Sequence, residues 1–294
     1  MSLTAAFISC REQPKFRWFL DSLRNQGGND APIIFVDGYS SRALGTIADG
    51  VLHVAPKPTV WSGPHRLTKD EWWSKSSSLN SAICLCKTDW IAFCDDRCVL
   101  NPGWLDSVRE AMAGNYSVCG SYSKHSDLKV ENGVVKNYGQ LMGQDHRDRP
   151  GGAEHFKHHW FFGCTFALPL EWALQVNGFE ELLDGLGAED TQFGSMLRAN
   201  GFEMKYDPRM RVLQDRTPGE CGPEMKKTSK RRYDHDKEAK DYKAIERFYG
   251  QKQSQHPINL REIRAKVLAG EPFPHHGGQP SHDWFDGQPI KDFE

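Results

Sequence analysis

One stretch limits what this chain can fold into more than any other: Trp90-Ile91-Ala92-Phe93-Cys94, closed by Asp95-Asp96. A nearly unbroken apolar run predicts a strand buried on both faces, as in parallel sheets. Such a strand needs helices above and below it, so the predicted class is α/β. Two adjacent carboxylates at its end lie where open α/β sheets bind their ligands. They repel unless positive charge lies beside them, and a divalent cation carrying a phosphate supplies it. A second acidic pair, Glu189-Asp190, opens a predicted helix after a glycine-rich turn. Together the pairs predict a metal-held phosphate on one side and a base on the other.

The flanking sequence alternates in the same way. Leu3 to Ser9 predicts a first strand, and Phe16, Phe19, Leu20 and Leu23 repeat at helical spacing after Pro14. Ile33 to Val36 predicts a second strand ending in Asp37-Gly38, and Val51 to Val54 a third, weaker one. Ser76 to Cys86 places Leu79, Ile83 and Cys86 on one helical face before the acidic strand. This order predicts a Rossmann-like, mostly parallel sheet with right-handed crossovers. The sequence holds no GxGxxG and no GxxxxGK[ST], which argues against dinucleotide and P-loop sites.

Downstream, a Pro-Gly turn precedes a predicted helix from Trp104 to Ala113 and a strand near Val118. Residues 124 to 159 are polar and rich in Gly, Asp and His, and predict a site-lining loop that closes over a ligand. His146, His155, His158 and His159 match no zinc spacing. Glu171 to Val176 reads as helical up to Asn177-Gly178, and Asn200-Gly201 ends the helix carrying Phe193, Met196 and Leu197. After Pro223 the pattern turns charged. Lys226, Lys227, Lys230, Arg231 and Arg232 form either a solvated helix face or a contact for a polyanion. The expected division is 1–222, with halves 1–105 and 106–222, followed by a helical and irregular extension, 223–294. Trp284-Phe285 and several prolines predict that the tail packs along the main body.

Composition sets bounds. A length of 294 residues permits a sizeable core, and 38% hydrophobic with 26% charged residues is ordinary for a globular chain. A net charge of −2 gives no overall attraction to nucleic acid or anionic membrane. No apolar stretch approaches the roughly 18 residues of a membrane span, and the N-terminus shows no basic and apolar leader pattern. Eight cysteines without CxxC spacing predict buried free thiols in a reducing compartment, the cytoplasm, or a host's cytoplasm for a viral chain.

With both acidic pairs placed, the chain resembles the GT-A glycosyltransferases over roughly residues 4 to 216. The resemblance rests on Ile8-Ser9-Cys10-Arg11, Ile34-Phe35-Val36-Asp37 and the segment WIAFCDDRCVLNPGW from Trp90 to Trp104. Phe162-Gly163-Cys164, Asn177-Gly178-Phe179-Glu180, and Gly187-Ala188-Glu189-Asp190 with Phe193 are similar to that family's acceptor and base segment.

The resemblance implies a sugar transferred from a nucleotide-diphosphate donor, of UDP type, to an acceptor hydroxyl with inversion. It implies Mn²⁺ or Mg²⁺ at Asp96, with Asp95 on the ribose or a metal-bound water. Ser9, Arg11, Asp37, Asn80, Arg97, Trp160 and Gly163 fall to the nucleotide sugar, and Glu189 and Asp190 to catalysis, with Asp190 the base. Three positions depart from the pattern. Arg97 stands where many relatives carry a third carboxylate, Ser78 where they carry arginine, and Asp215 where they supply a late metal-binding histidine. Asp215 is therefore the substitute ligand. The acceptor stays open between a saccharide or glycoconjugate and a hydroxymethylated base in DNA. A nucleotidyltransferase and a non-catalytic nucleotide-sugar-binding module are the competing readings. Oligomeric state is not legible.

Overall fold

A computed structural model describes residues 1–39, 45–47, 50–59, 75–148, 161, 163–184, 188–217, 250–255 and 259–274. Strand β1 (Leu3–Ser9) is followed by helix α1 (Phe16–Arg24) and strand β2 (Ile33–Asp37). The predicted aromatic stripe of α1 folds onto these strands. Phe16 stacks on Phe35 at 4.9 Å and meets Phe7 edge-on at 5.3 Å. Next come β3 (Gly45–Ile47), β4 (Val51–Val54), α2 (Lys75–Leu85) and β5 (Trp90–Asp95). The order β4-β2-β1-β5 is parallel throughout, as the sequence predicts, while β3 adds an antiparallel edge.

The second half returns to the same sheet. Strand β6 (Cys98–Leu100) leads to α3 (Trp104–Gly114) and β7 (Ser117–Cys119). Further on, β12 (Thr165–Pro169) runs antiparallel between β5 and β7, and α4 (Leu170–Gln175) follows it. Helix α5 (Glu189–Ala199) and strand β13 (Met204–Tyr206) complete this layer, with β13 parallel to β7. The expected halves at 105/106 thus share one eight-stranded sheet.

The polar stretch after residue 124 corrects the sequence reading. Through Gln144 it is mostly strand: β8 (Tyr122–Ser126), β9 (Lys129–Glu131), β10 (Val134–Asn137) and β11 (Gln140–Gln144). With β14 (Val212–Asp215), strands β8, β11 and β6 form a second sheet ordered β11-β8-β14-β6. These strands are polar because β9, β10 and β11 are largely exposed and bury little. Residues 149 to 159, and the closure expected of them, lie outside the described residues, as does Trp160.

Helix α2 is buried nearly all round despite four serines, because it lies between the sheet and helix α6 (Leu260–Leu268). The Asp184 carboxylate caps it, accepting from the N–H groups of Ser76 at 2.6 Å and Ser77 at 3.2 Å. Leu260 and Ile263 of α6 join Leu79 and Ile83 in the main core. Residues 260–268 therefore pack on the main body, whereas Trp284-Phe285 and the basic run from Lys226 to Arg232, with the expectations placed on them, lie outside the described residues.

Candidate active site

Parallel pairing sets Ile8 opposite Asp95 and Ser9 opposite Asp37, so the segments leaving β1, β2 and β5 gather at one sheet edge. Asp96 anchors that edge. Its Oδ2 accepts from the Ser9 hydroxyl at 2.6 Å, and its Oδ1 from the N–H groups of Lys15 at 2.9 Å and Arg97 at 2.6 Å. Arg11 Nε stands 4.0 Å from Oδ2. Burial pushes the Asp96 carboxyl up, and these contacts oppose it. Asp95 is less enclosed, half-buried, with Oδ2 3.1 Å from the Lys75 ammonium.

Arg97 adopts a left-handed backbone, φ 64°, directly after the acidic pair. Its guanidinium donates to Asp215 Oδ2 at 2.7 Å and to the Thr217 carbonyl at 2.6 Å. Burial raises the Asp215 carboxyl, but hydrogen bonds from Arg97 and Thr217 outweigh it and hold the group below the usual carboxylate range. Asp215, expected to replace a metal-binding histidine, is the counter-ion of Arg97 in this structure. The pair fastens β14 to the acidic turn.

Two more expected donor contacts have partners inside the protein. Asp37 is buried, with Oδ2 2.9 Å from His53 Nε2 and Oδ1 accepting from the Tyr39 N–H at 2.9 Å. Asn80 exchanges hydrogen bonds with the Phe179 backbone in both directions and donates to Glu181 Oε1 at 2.9 Å. Expected beside the donor, Asn80 is a buried clamp on the 177–181 turn.

On the other side, Ala188 enters α5 with a left-handed φ of 62°, placing Glu189 and Asp190 in the first turn. Phe193 stacks on Phe179 at 3.9 Å and seats the helix against the core. Asp190 Oδ2 accepts from the Gly163 N–H at 2.8 Å and Oδ1 from the Thr191 N–H at 2.7 Å. Oδ1 also accepts from the Thr191 hydroxyl at 3.4 Å, so Oδ2 is the oxygen that keeps a further lone pair for a proton. Glu189 is buried; burial raises its carboxyl, Lys75 lowers it, and Asp190 raises it again.

Lys75 joins the two groups, a residue the sequence reading missed. Its ammonium lies 3.1 Å from Asp95 Oδ2, 3.5 Å from Glu189 Oε1 and 3.3 Å from the Gly163 carbonyl. Burial pulls its pKa down, but Asp95, Glu189 and Asp190 prevail and raise it, so the ammonium stays charged. The only sequence signal was a lone lysine opening the helix before the acidic strand.

Among the described residues, no group of three or more His, Cys, Asp or Glu side chains is arranged to hold a metal ion. Asp96 and Asp215 each accept three hydrogen bonds within the protein, and Asp95 is the more open carboxylate. That donor set does not form a metal cage of its own. It suits a Mg²⁺- or Mn²⁺-like ion held chiefly by phosphate oxygens and water and touched by one or two carboxylates.

A parallel half whose strands end at an acidic turn, extended by an antiparallel strand leading to a second acidic helix start, is the GT-A architecture. The sequence model described as glycosyl transferase family 2 matches residues 5–176, and one described as N-terminal domain of galactosyltransferase matches residues 153–215. The chain belongs to glycosyltransferase family 2. No curated protein sequence matches it. Among solved structures, TarS 1-349 of S. aureus in complex with UDP is similar at TM-score 0.53 and 12% identity, over 84% of this chain and 64% of that one. GalNAc-T7 with UDP, GalNAc and Mn²⁺ is similar at 0.51 and 12%, over 93% of this chain and 58% of that one. The chain thus spans less than two thirds of either. Among the described residues no helix is long and apolar enough to cross a membrane.

Proposed function

We propose that the chain transfers a sugar from a nucleoside-diphosphate sugar to an acceptor hydroxyl, with Asp190 as general base. The convergence of Asp95 and Glu189-Asp190 on Lys75 supports this reading most directly. The complexes of TarS with UDP and of GalNAc-T7 with UDP and Mn²⁺ support a uridine donor and a divalent ion. The ion, when bound with the diphosphate beside Asp95, neutralises charge on the leaving group.

The chain's own groups do the rest. Asp96 fixes the turn that presents Asp95. The Gly163 and Thr191 N–H groups hold the Asp190 carboxyl in place at the start of α5. The acceptor oxygen bonds to the anomeric carbon as its proton passes to Asp190. The bond from that carbon to the phosphate oxygen breaks, and its electron pair leaves with the nucleoside diphosphate. Direct displacement inverts the anomeric centre. The acceptor classes are a saccharide or glycoconjugate and a hydroxymethylated DNA base.

Calorimetry with UDP, with and without Mn²⁺, tests the donor. UDP release from UDP-sugars, measured with oligosaccharide or hydroxymethylated duplex DNA, tests transfer. Tight binding followed by acceptor-dependent UDP release is the expected result. Pyrophosphate release from a nucleoside triphosphate would establish a nucleotidyltransferase instead. UDP binding without turnover on any acceptor would establish a binding module.

A further inference from the structure

Lys75 sits where a mobile, solvated lysine would be of no use. Its side chain is only 12% exposed, and its ammonium has three acceptors from three separate elements: Asp95 at the end of β5, Glu189 at the start of α5, and the Gly163 carbonyl before β12. An ammonium has three N–H donors, so one residue can satisfy all three acceptors. Gly163 is equally committed, because its N–H holds Asp190 while its carbonyl holds Lys75. A Cβ at Gly163 would lie 3.1 Å from Lys75 Nζ and 3.2 Å from Asp190 Cβ, so the space between cation and base is closely fitted. The backbone of α2 is itself fixed one and two residues beyond Lys75 by Asp184.

We propose that Lys75 is a positioning residue for the transfer step: its ammonium joins the donor-side carboxylate to the acceptor-side pair and, through the Gly163 turn, sets the place of Asp190. This rests on the reading of the chain as a glycosyltransferase. Without the ammonium, Asp95, Glu189 and Asp190 face one another with no described cation between them. Glu189 then takes up a proton more readily, and the Gly163 turn loses the contact that holds its N–H on Asp190. Donor recognition, which belongs to the β1, β2 and β5 edge, is affected much less than the chemical step.

The experiment compares the parent protein with Lys75→Met and Lys75→Arg, using UDP calorimetry and steady-state transfer from a UDP-sugar. Lys75→Met should lower kcat by about 100-fold, within the range of a displaced general base, while the Kd for UDP and the donor KM change by less than about threefold. Lys75→Arg, which keeps the charge, should recover at least about a tenth of parental kcat; this variant decides the matter if the methionine variant does not fold. The proposal is overturned if Lys75→Met keeps kcat within threefold. It is equally overturned if the loss lies in UDP affinity alone, or if a folded Lys75→Arg is as inactive as a site without the lysine. A parent with no transferase activity on any acceptor would sink the glycosyltransferase reading instead, a result separate from these.

Discussion

Asp190 and Asp96 show how two carboxylates a few residues from a strand or helix end acquire different work. Asp96 accepts three hydrogen bonds inside the protein and is nearly buried, so it holds a turn. Asp96→Ala leaves the Ser9 hydroxyl and two backbone N–H groups unpaired, at about 1–3 kcal/mol for each donor left buried. Denaturant unfolding should show a loss of that order, and UDP should no longer raise the melting temperature. Asp190 accepts from Thr191 through Oδ1 and from the Gly163 N–H alone through Oδ2, and is half-buried, which leaves room on Oδ2 for an acceptor proton. Gly163→Ala should reduce transfer with little change in UDP affinity, because the new methyl group crowds Lys75 and Asp190. The sequence made both acidic pairs legible, since each lies at the end of a strongly patterned element. It did not reveal Lys75, Arg97–Asp215 or Asn80–Phe179, because each is a contact between segments far apart along the chain.

At the scale of elements, the strands that bury both faces were readable and those exposed to water were not. Asn132-Gly133 turns the β9–β10 hairpin with both residues at positive φ, 48° and 73°. That dipeptide, flanked by Val130 and Val134-Val135, is a strong local hairpin signal, but the strands on either side are only three and four residues long and mostly exposed. The hairpin tip leans on α1. A Cβ at Gly133 would lie 2.2 Å from the Ser22 nitrogen and 2.4 Å from the Asp21 carbonyl carbon. Gly133→Ala should therefore destabilise the protein by more than about 1 kcal/mol, through left-handed strain and contact with backbone. A second element-scale test concerns Glu180, which receives the N–H groups of Leu182 and Gln255 and so ties the 254–255 segment to the turn before α5. Burial pushes its carboxyl from 4.5 to about 7. The folded form therefore binds the proton more tightly than the unfolded chain. This contribution is complete below pH 4.5 and disappears as pH rises through about 7. Relative to Glu180→Gln, the parent should lose roughly 1–3 kcal/mol between pH 5 and pH 8 in denaturant unfolding.

Over the whole molecule, the site is a junction of three parts: the parallel edge, the second sheet fastened by Arg97–Asp215, and α5 seated by Phe193 on Phe179. Helix α6 supports that junction from behind, through Leu260 and Ile263 in the core and Arg264 donating to the Cys86 carbonyl at 2.8 Å. Leu260→Ala should cost about 2–5 kcal/mol, measured as a lower denaturation midpoint, if helix α6 is part of the folded unit. The sequence made the fold class legible because its buried strands are continuous and its turns lie between them. The central claim, that one carboxylate takes the acceptor proton while a separate edge holds the donor, is tested most directly with Asp190→Asn. UDP affinity and the rate of acceptor-dependent UDP release are measured on that one variant. The account predicts affinity within about threefold of the parent and a rate lower by about 10²–10⁴. A rate equal to the parent's, or a loss of affinity as large as the loss of rate, would contradict it.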